Sequence, residues 1–414
     1  MNQLNKFRIN HNRLISSVYE IAKIGKLPNG GVRRLAFSKN DLIAKKKIIE
    51  WCKQLGLSLS IDSIGNIFAR LENNKNSTKK SIGIGSHFDT QPHGGKFDGA
   101  YGVLAGLEVM RTLKEKKINL EKPVELIIWS NEEGCRYTPP LMGSLFFTDI
   151  IKLKNLIKLK DSKGILLEDE LNTFYKLGLK KNLKKQIESF VEIHIEQGPI
   201  LENLNKSIGV VTGAQGSRGL NIDFIGEDSH SGTTPMNIRK DTVVALSNFV
   251  VDFTHQAKKL HKDLRATVGS VVTFPGSRNT VSGRSSITVD IRHKDMDILN
   301  KIETFIKKIC QKIELKFKVK IKIQKKYILP TVSFDSKIIS VVKKSCDELK
   351  YNSKKILSGA GHDAVSLSKV MPTGMIFIPC YKGISHSEKE FASNKDMIGG
   401  CNVLLQTVLK LNAN

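Results

Sequence analysis

Two runs in the first third of the chain, SIGIGS (81–86) and PVELIIWS (123–130), are apolar without polar alternation. One helix-patterned stretch, GAYGVLAGLEVMRTLKEKK (99–117), separates them. A strand that is apolar on both sides must be covered on both sides, as central strands of parallel sheets flanked by helices are. The chain is therefore predicted to be α/β with a mixed, largely parallel sheet. Such sheets bind ligands beyond the carboxyl ends of their strands, so the residues that follow each run are where chemistry is expected.

The rest of the pattern divides the chain. A helix around 10–24, a Gly-rich loop at 28–31, a helix from the Asn40 and Asp41 cap signals to before Gly56, and strands at 57–62 and 65–71 complete the first part. Between about 213 and 330 the order becomes strand (219–226), helix (241–260), strand (266–274), strand (285–293), helix (297–313), strand (315–324). This βαββαβ order is that of a ferredoxin-like α+β sandwich. Helix and strand then alternate again through 335–350, 374–380 and 395–411. At 414 residues two domains are expected: residues 1–212 with 331–414, and a smaller domain of residues 213–330 inserted between them.

The formal charge of +26 raises nucleic acid as a partner. However, the lysines are spread over segments such as IKLKNLIKLKDSK (151–163) and KFKVKIKIQKK (316–326), which look like solvated faces of helices and edge strands. With no basic stripe interleaved with aromatics, no nucleic-acid partner is expected. Six scattered cysteines without a CxxC pair suit a reducing compartment. The N-terminus lacks a secretory pattern and no stretch reaches the length of a membrane span. A cytoplasmic protein with no membrane association is expected.

The strand ends carry the unusual residues. SHFDTQPHGGKFDGAYG (86–102) follows the first run, with His87 and Asp89 two apart and Asp98 behind Gly94 and Gly95. On extended backbone Asp89 would share a side with His87 and accept from its second ring nitrogen. The second run ends in WSNEEGCRY, where Glu132 and Glu133 would be costly neighbours without a positive charge beside them. A third strand, SFVEIHIEQGP, carries His194 and ends at Gln197, and KGISHSEKE carries His386. Together His87, Asp98, Glu133, His194 and His386 form an imidazole and carboxylate set suited to two divalent ions sharing one bridging carboxylate. Zinc suits this ligation, and manganese or cobalt could fill the same positions.

Through GGVRRLAFS, GSHFDTQPHGGKFDGAYGVLAGLEV, NEEGCRY, EIHIEQGPILE, DSHSGTTPM, GSRNTVSG, DIRH, SGAGHDA and GISHSEKE, the chain resembles the amidase, hydantoinase and carbamoylase branch of the co-catalytic di-zinc aminoacylase and carboxypeptidase superfamily. The resemblance covers nearly the whole chain. It implies a metal-binding catalytic domain and an inserted lid and dimerisation domain. His87 and His194 would bind one metal, Glu133 and His386 the other, with Asp98 bridging, Asp89 orienting His87 and Glu132 the general base. His230 would be an oxyanion-stabilising donor delivered, in dimeric relatives, from the partner subunit. Asn279 and Arg292 would bind the substrate, with Gln197 at its amide or ureido end; Asn279 and Arg292 could serve the partner's site as His230 does. His362 would be structural and His93 a loop or substrate-side residue. Glu388 stands where relatives usually have Pro, and Cys135 where Ser is common.

The implied activity is hydrolysis of the linear amide of an N-carbamoyl-L-amino acid, releasing ammonia, carbon dioxide and the amino acid. Allantoate and N-carbamoyl-β-alanine are the alternatives, a dipeptidase or aminoacylase the weaker ones. A non-catalytic nucleic-acid-binding protein is the rival from another class.

Overall fold

The computed structural model describes residues 7–72, 79–181 and 187–413. The chain forms two compact units, Met1–Gly213 with Ser333–Asn414, and Ala214–Val332.

The large unit is built on a mixed sheet, ten-stranded among the described residues. Its centre is four parallel strands in the order Thr373–Ile378, Ile187–Ile195, Ser81–His87, Val124–Trp129. Ser81–His87 is buried at every position, as is Val124–Trp129, which explains their unbroken apolar pattern. Antiparallel strands flank this centre on both sides, Ile67–Leu71 on one and Ile208–Ala214 on the other. The helices Ala100–Glu115 and Asn394–Asn412 pack into the main core through Val103, Leu107, Leu404 and Val408. The predicted α/β architecture with a largely parallel centre is what the chain adopts.

All four central strands run the same way, so their carboxyl ends lie along one edge. His87 ends one of them; Glu132 and Glu133 follow a second; His194 and Gln197 close a third; the segment to His386 follows the fourth.

The small unit is a four-stranded antiparallel sheet in the order Arg265–Phe274, Arg284–His293, Gly216–Ile225, Lys320–Leu329. With the helices Thr242–Leu260 and Met296–Phe317, this is the strand order of a ferredoxin-like sandwich. Leu220, Ile222, Phe224, Ile287, Val289 and Ile291 alternate inward against Phe249, Ile302 and Ile306. One boundary differs from expectation. The strand predicted at 315–324 begins at Lys320, because the preceding helix continues through Leu315 to Phe317 and ends where Lys318 turns left-handed (φ 55).

No helix among the described residues is long and apolar enough to cross a membrane.

Candidate metal centre

The five side chains of the expected set converge on Asp98. Its Oδ1 lies 3.1 Å from Nε2 of His194 and 3.5 Å from Nε2 of His87, and its Oδ2 lies 3.3 Å from Nε2 of His386. Nε2 of His386 is also 3.5 Å from Oε2 of Glu133. Two groups follow, His87 with Asp98 and His194, and Asp98 with Glu133 and His386, each with its donor atoms close enough to hold one cation.

Backbone geometry fixes which imidazole nitrogen faces inward. Nδ1 of His87 contacts the Asp89 carbonyl at 3.0 Å and Nδ1 of His194 the Ile195 carbonyl at 2.9 Å. A carbonyl only accepts, so both rings carry hydrogen on Nδ1 and turn Nε2 toward Asp98. Gly99 donates its N–H to Nε2 of His194 at 3.0 Å. Its backbone is left-handed (φ 63), and a Cβ there would overlap the His87 ring. Only glycine fits.

Asp89 is the correction. Its carboxylate does not hold His87, since Oδ1 is 3.9 Å from Nδ1. The strand ends at His87, so the same-side geometry of extended backbone stops there, and the Asp89 carbonyl meets the ring instead. The carboxylate accepts the N–H groups of Glu132 at 3.2 Å and Glu133 at 3.1 Å, which positions both acids.

Glu132 is buried, with Oε2 3.5 Å from Nε2 of His87. Burial, together with the nearby Asp363 and Glu133 carboxylates, pushes its carboxyl well above the usual range. Burial also raises Glu133, helped by Asp98, to about 7. Burial opposes ionisation of Asp98 too, but the imidazoles of His194, His386 and His87 outweigh it and hold that carboxyl well below the usual range. His386 is raised to about 9, chiefly by its hydrogen bond to Asp98. Such a crowd of buried acids and imidazoles is what a cation would neutralise. Oε1 of Glu133 is buried with no hydrogen-bond partner, so the donor set fits a metal there.

Three residues around the centre that are not glycine hold left-handed backbone: Asn131 (φ 53), Gln197 (φ 56) and His386 (φ 52). Gln197 turns its amide onto the centre, donating to Asp98 Oδ2 at 2.8 Å and to Ser385 Oγ at 3.3 Å. His362 is buried, 4.7 Å ring to ring from His194, with Nε2 on Ser358 Oγ. Burial and the neighbouring His194 lower its pKa well below the usual histidine value. His93 pairs with Glu388 at 2.8 Å, so this glutamate ties two loops together. Cys135 is exposed, its Sγ on Gln91 Oε1.

Sequence reasoning missed the supporting acids. Glu390 Oε1 accepts the N–H groups of Phe97 and Asp98, while its Oε2 accepts from Ser385. Glu192, opposite Gly85 in the sheet, accepts from Ser86 Oγ and from the N–H of Ala364. Its place two residues before His194, on the same strand face, was the available signal.

The small unit does not gather the remaining site residues in one place. His230 pairs with Thr280 in a two-stranded ladder, and Ser231 donates to the Asn279 carbonyl, so His230 and Asn279 are neighbours. Nδ1 of His230 accepts from Gly232 and Thr233, which leaves Nε2 to carry the hydrogen on an exposed ring. Arg292 sits at the other end of the Arg284–His293 strand, eight residues beyond Arg284, or roughly 27 Å. The pairing of Gly226 with Gly283 carries the ladder further away. Along the strand, Arg292 and the Asn279 loop thus lie toward opposite ends of this sheet.

The sequence profile of peptidase family M20/M25/M40 matches residues 83–410. An N-carbamoyl-L-amino-acid amidohydrolase of Rhizobium meliloti is 36% identical over 407 residues, covering 97% of each chain. An allantoate amidohydrolase of Bacillus subtilis is 31% identical over 402 residues, again covering 97% of each. Among solved structures, an amidase of the hydantoinase/carbamoylase family from Burkholderia vietnamiensis aligns with a TM-score of 0.89 and 38% identity over 99% of both chains.

Proposed function

Because the chain belongs to peptidase family M20/M25/M40 and is an amidohydrolase of linear carbon–nitrogen bonds, we propose that it hydrolyses N-carbamoyl-L-amino acids. Two divalent ions, zinc by the imidazole and carboxylate donors, would be held by His87, His194 and Asp98 and by Asp98, Glu133 and His386. The observation that carries the reading is the placement of Asp98 between the three inward Nε2 atoms with Glu132 beside it.

Bound ions of this kind polarise a scissile carbonyl and acidify water. The chain's own residues supply the rest. Glu132, anchored through its N–H to Asp89, takes the proton of the attacking water and returns it to the departing nitrogen. A raised pKa favours holding that proton until the nitrogen departs. Arg292 offers a planar fork to the substrate carboxylate. His230, whose Nε2 carries the hydrogen, would donate to the developing oxyanion, and Asn279 beside it would bind the substrate.

The separation of Arg292 from His230 and Asn279 supports a homodimer in which each site takes Arg292 from one chain and His230 with Asn279 from the other. Val243, Val244 and Val251 on the Thr242–Leu260 helix and Val271, Val272 and Phe274 on the edge strand Arg265–Phe274 are exposed apolar residues that a partner copy would cover.

Ammonia release from N-carbamoyl-L-amino acids, allantoate and N-carbamoyl-β-alanine, measured on protein loaded with zinc or manganese, tests the reading. A higher kcat/KM on allantoate would move the assignment to the activity named for the Bacillus subtilis relative.

A further inference from the structure

On the sheet face of the small unit opposite its helices, three side chains from two strands form a chain of contacts. Asp290 and Arg292 lie two apart on Arg284–His293 and so point to the same side, away from the buried Val289 and Ile291. Asp290 Oδ1 accepts from Nε of Arg292 at 2.8 Å. The other carboxylate oxygen accepts from the hydroxyl of Tyr327. Tyr327 is not on a neighbouring strand: it lies on Lys320–Leu329, with Gly216–Ile225 in between.

Gly219 makes that reach possible. It is the register partner of both Asp290 and Tyr327, and a Cβ on it would overlap the tyrosine ring. The ring therefore lies across the gap left by the missing side chain. A register shift between Lys325 and Tyr327 sets the residue's aim. Burial and the Asp290 carboxylate both raise the tyrosine pKa, so the hydroxyl stays a donor.

We propose that Asp290 and Tyr327 are positioning residues for Arg292: the tyrosine, laid over Gly219, holds the carboxylate that fixes the plane of the guanidinium for a substrate carboxylate. Ordering a long arginine side chain beforehand lowers the cost of binding. The inference rests on the role given to Arg292 above.

Steady-state kinetics of the metal-loaded full chain test it, with an N-carbamoyl-L-amino acid and the same compound carrying a carboxamide in place of its carboxylate. Tyr327→Phe is expected to raise KM for the carboxylate about 3- to 10-fold, the size of one typical lost hydrogen bond. kcat should stay within about two-fold and KM for the carboxamide should not move, because the loss concerns carboxylate binding alone. Gly219→Ala, which displaces the ring while keeping the hydroxyl, should give the same pattern. In the Arg292→Ala background Tyr327→Phe should add nothing. If Arg292→Ala raises KM for the carboxylate selectively and Tyr327→Phe does not, the positioning role is overturned while the role of Arg292 stands. If Arg292→Ala leaves the preference for the carboxylate unchanged, the role of Arg292 falls and the positioning inference with it.

Discussion

Glu390 holds the backbone of Asp98 through two hydrogen bonds to one oxygen, from the N–H of Phe97 at 3.0 Å and from that of Asp98 itself at 3.1 Å. The acid that would bridge two cations is thus fixed by an acid from a segment almost three hundred residues away, four positions after His386. Replacing Glu390 by Ala removes that anchor without touching a candidate ligand. Affinity for zinc, measured by competition with a chromophoric chelator, should fall about 10- to 100-fold, the usual cost of losing an outer-shell partner. An unchanged affinity would leave Glu390 a packing residue only.

Glu132→Gln keeps the shape of the side chain and removes its ability to take a proton. kcat should fall by a factor on the order of 10²–10⁴, while bound metal, measured by elemental analysis, stays at the wild-type level. A variant that keeps full activity would contradict the role given to Glu132.

Mixing two inactive chains tests the shared site. His230→Ala lacks the donor and Glu132→Gln the base, so a mixed dimer has one site with both groups intact if His230 serves the partner. An equal mixture after subunit exchange should regain about a quarter of wild-type activity, because half the dimers are mixed and each has one working site. A mixture as inactive as its components would refute sharing of His230.

Asp62 gives a pH signature away from the metal centre. Burial pushes its carboxyl up to about 6, against the hydrogen bonds it accepts from Asn66 and from the N–H of Ile64. The folded value exceeds the ordinary 3.8, so the folded chain holds this proton more tightly than the unfolded one. The contribution is complete below about pH 3.8 and is lost as pH rises through 6. Asp62→Asn cannot titrate, so between pH 4 and 7 wild type should lose up to about 3 kcal/mol relative to it in urea unfolding. A difference between the two that stays constant with pH would contradict the raised value.

The candidate ligands were legible because each follows a feature readable in one dimension: a run of buried-strand composition, then a histidine or acid at its end. The supporting acids were not. In SHSEKE nothing local marks Glu390 as the acid that turns inward while Glu388 meets His93, since that depends on which loop lies opposite. Asp89 was misread because a spacing rule for extended backbone was carried two residues past the end of its strand. Lys and apolar residues alternate from 315 onward in a way that suits a strand, yet Leu315 is 84% exposed at the end of a helix, and the left-handed turn at Lys318 sets the boundary.

The left-handed backbone at Asn131, Gln197 and His386 has a consequence for anyone wishing to transplant this centre. Outside glycine that conformation costs on the order of 1 kcal/mol per residue; it aims Gln197 and His386 at Asp98, and at Asn131 it leads into Glu132 beside His87. Copying the five side chains onto straight strand ends of another scaffold would reproduce the chemistry of the donors and lose their convergence. The smallest portable unit is the strand ends together with their three corners, supported by a sheet stable enough to hold them bent.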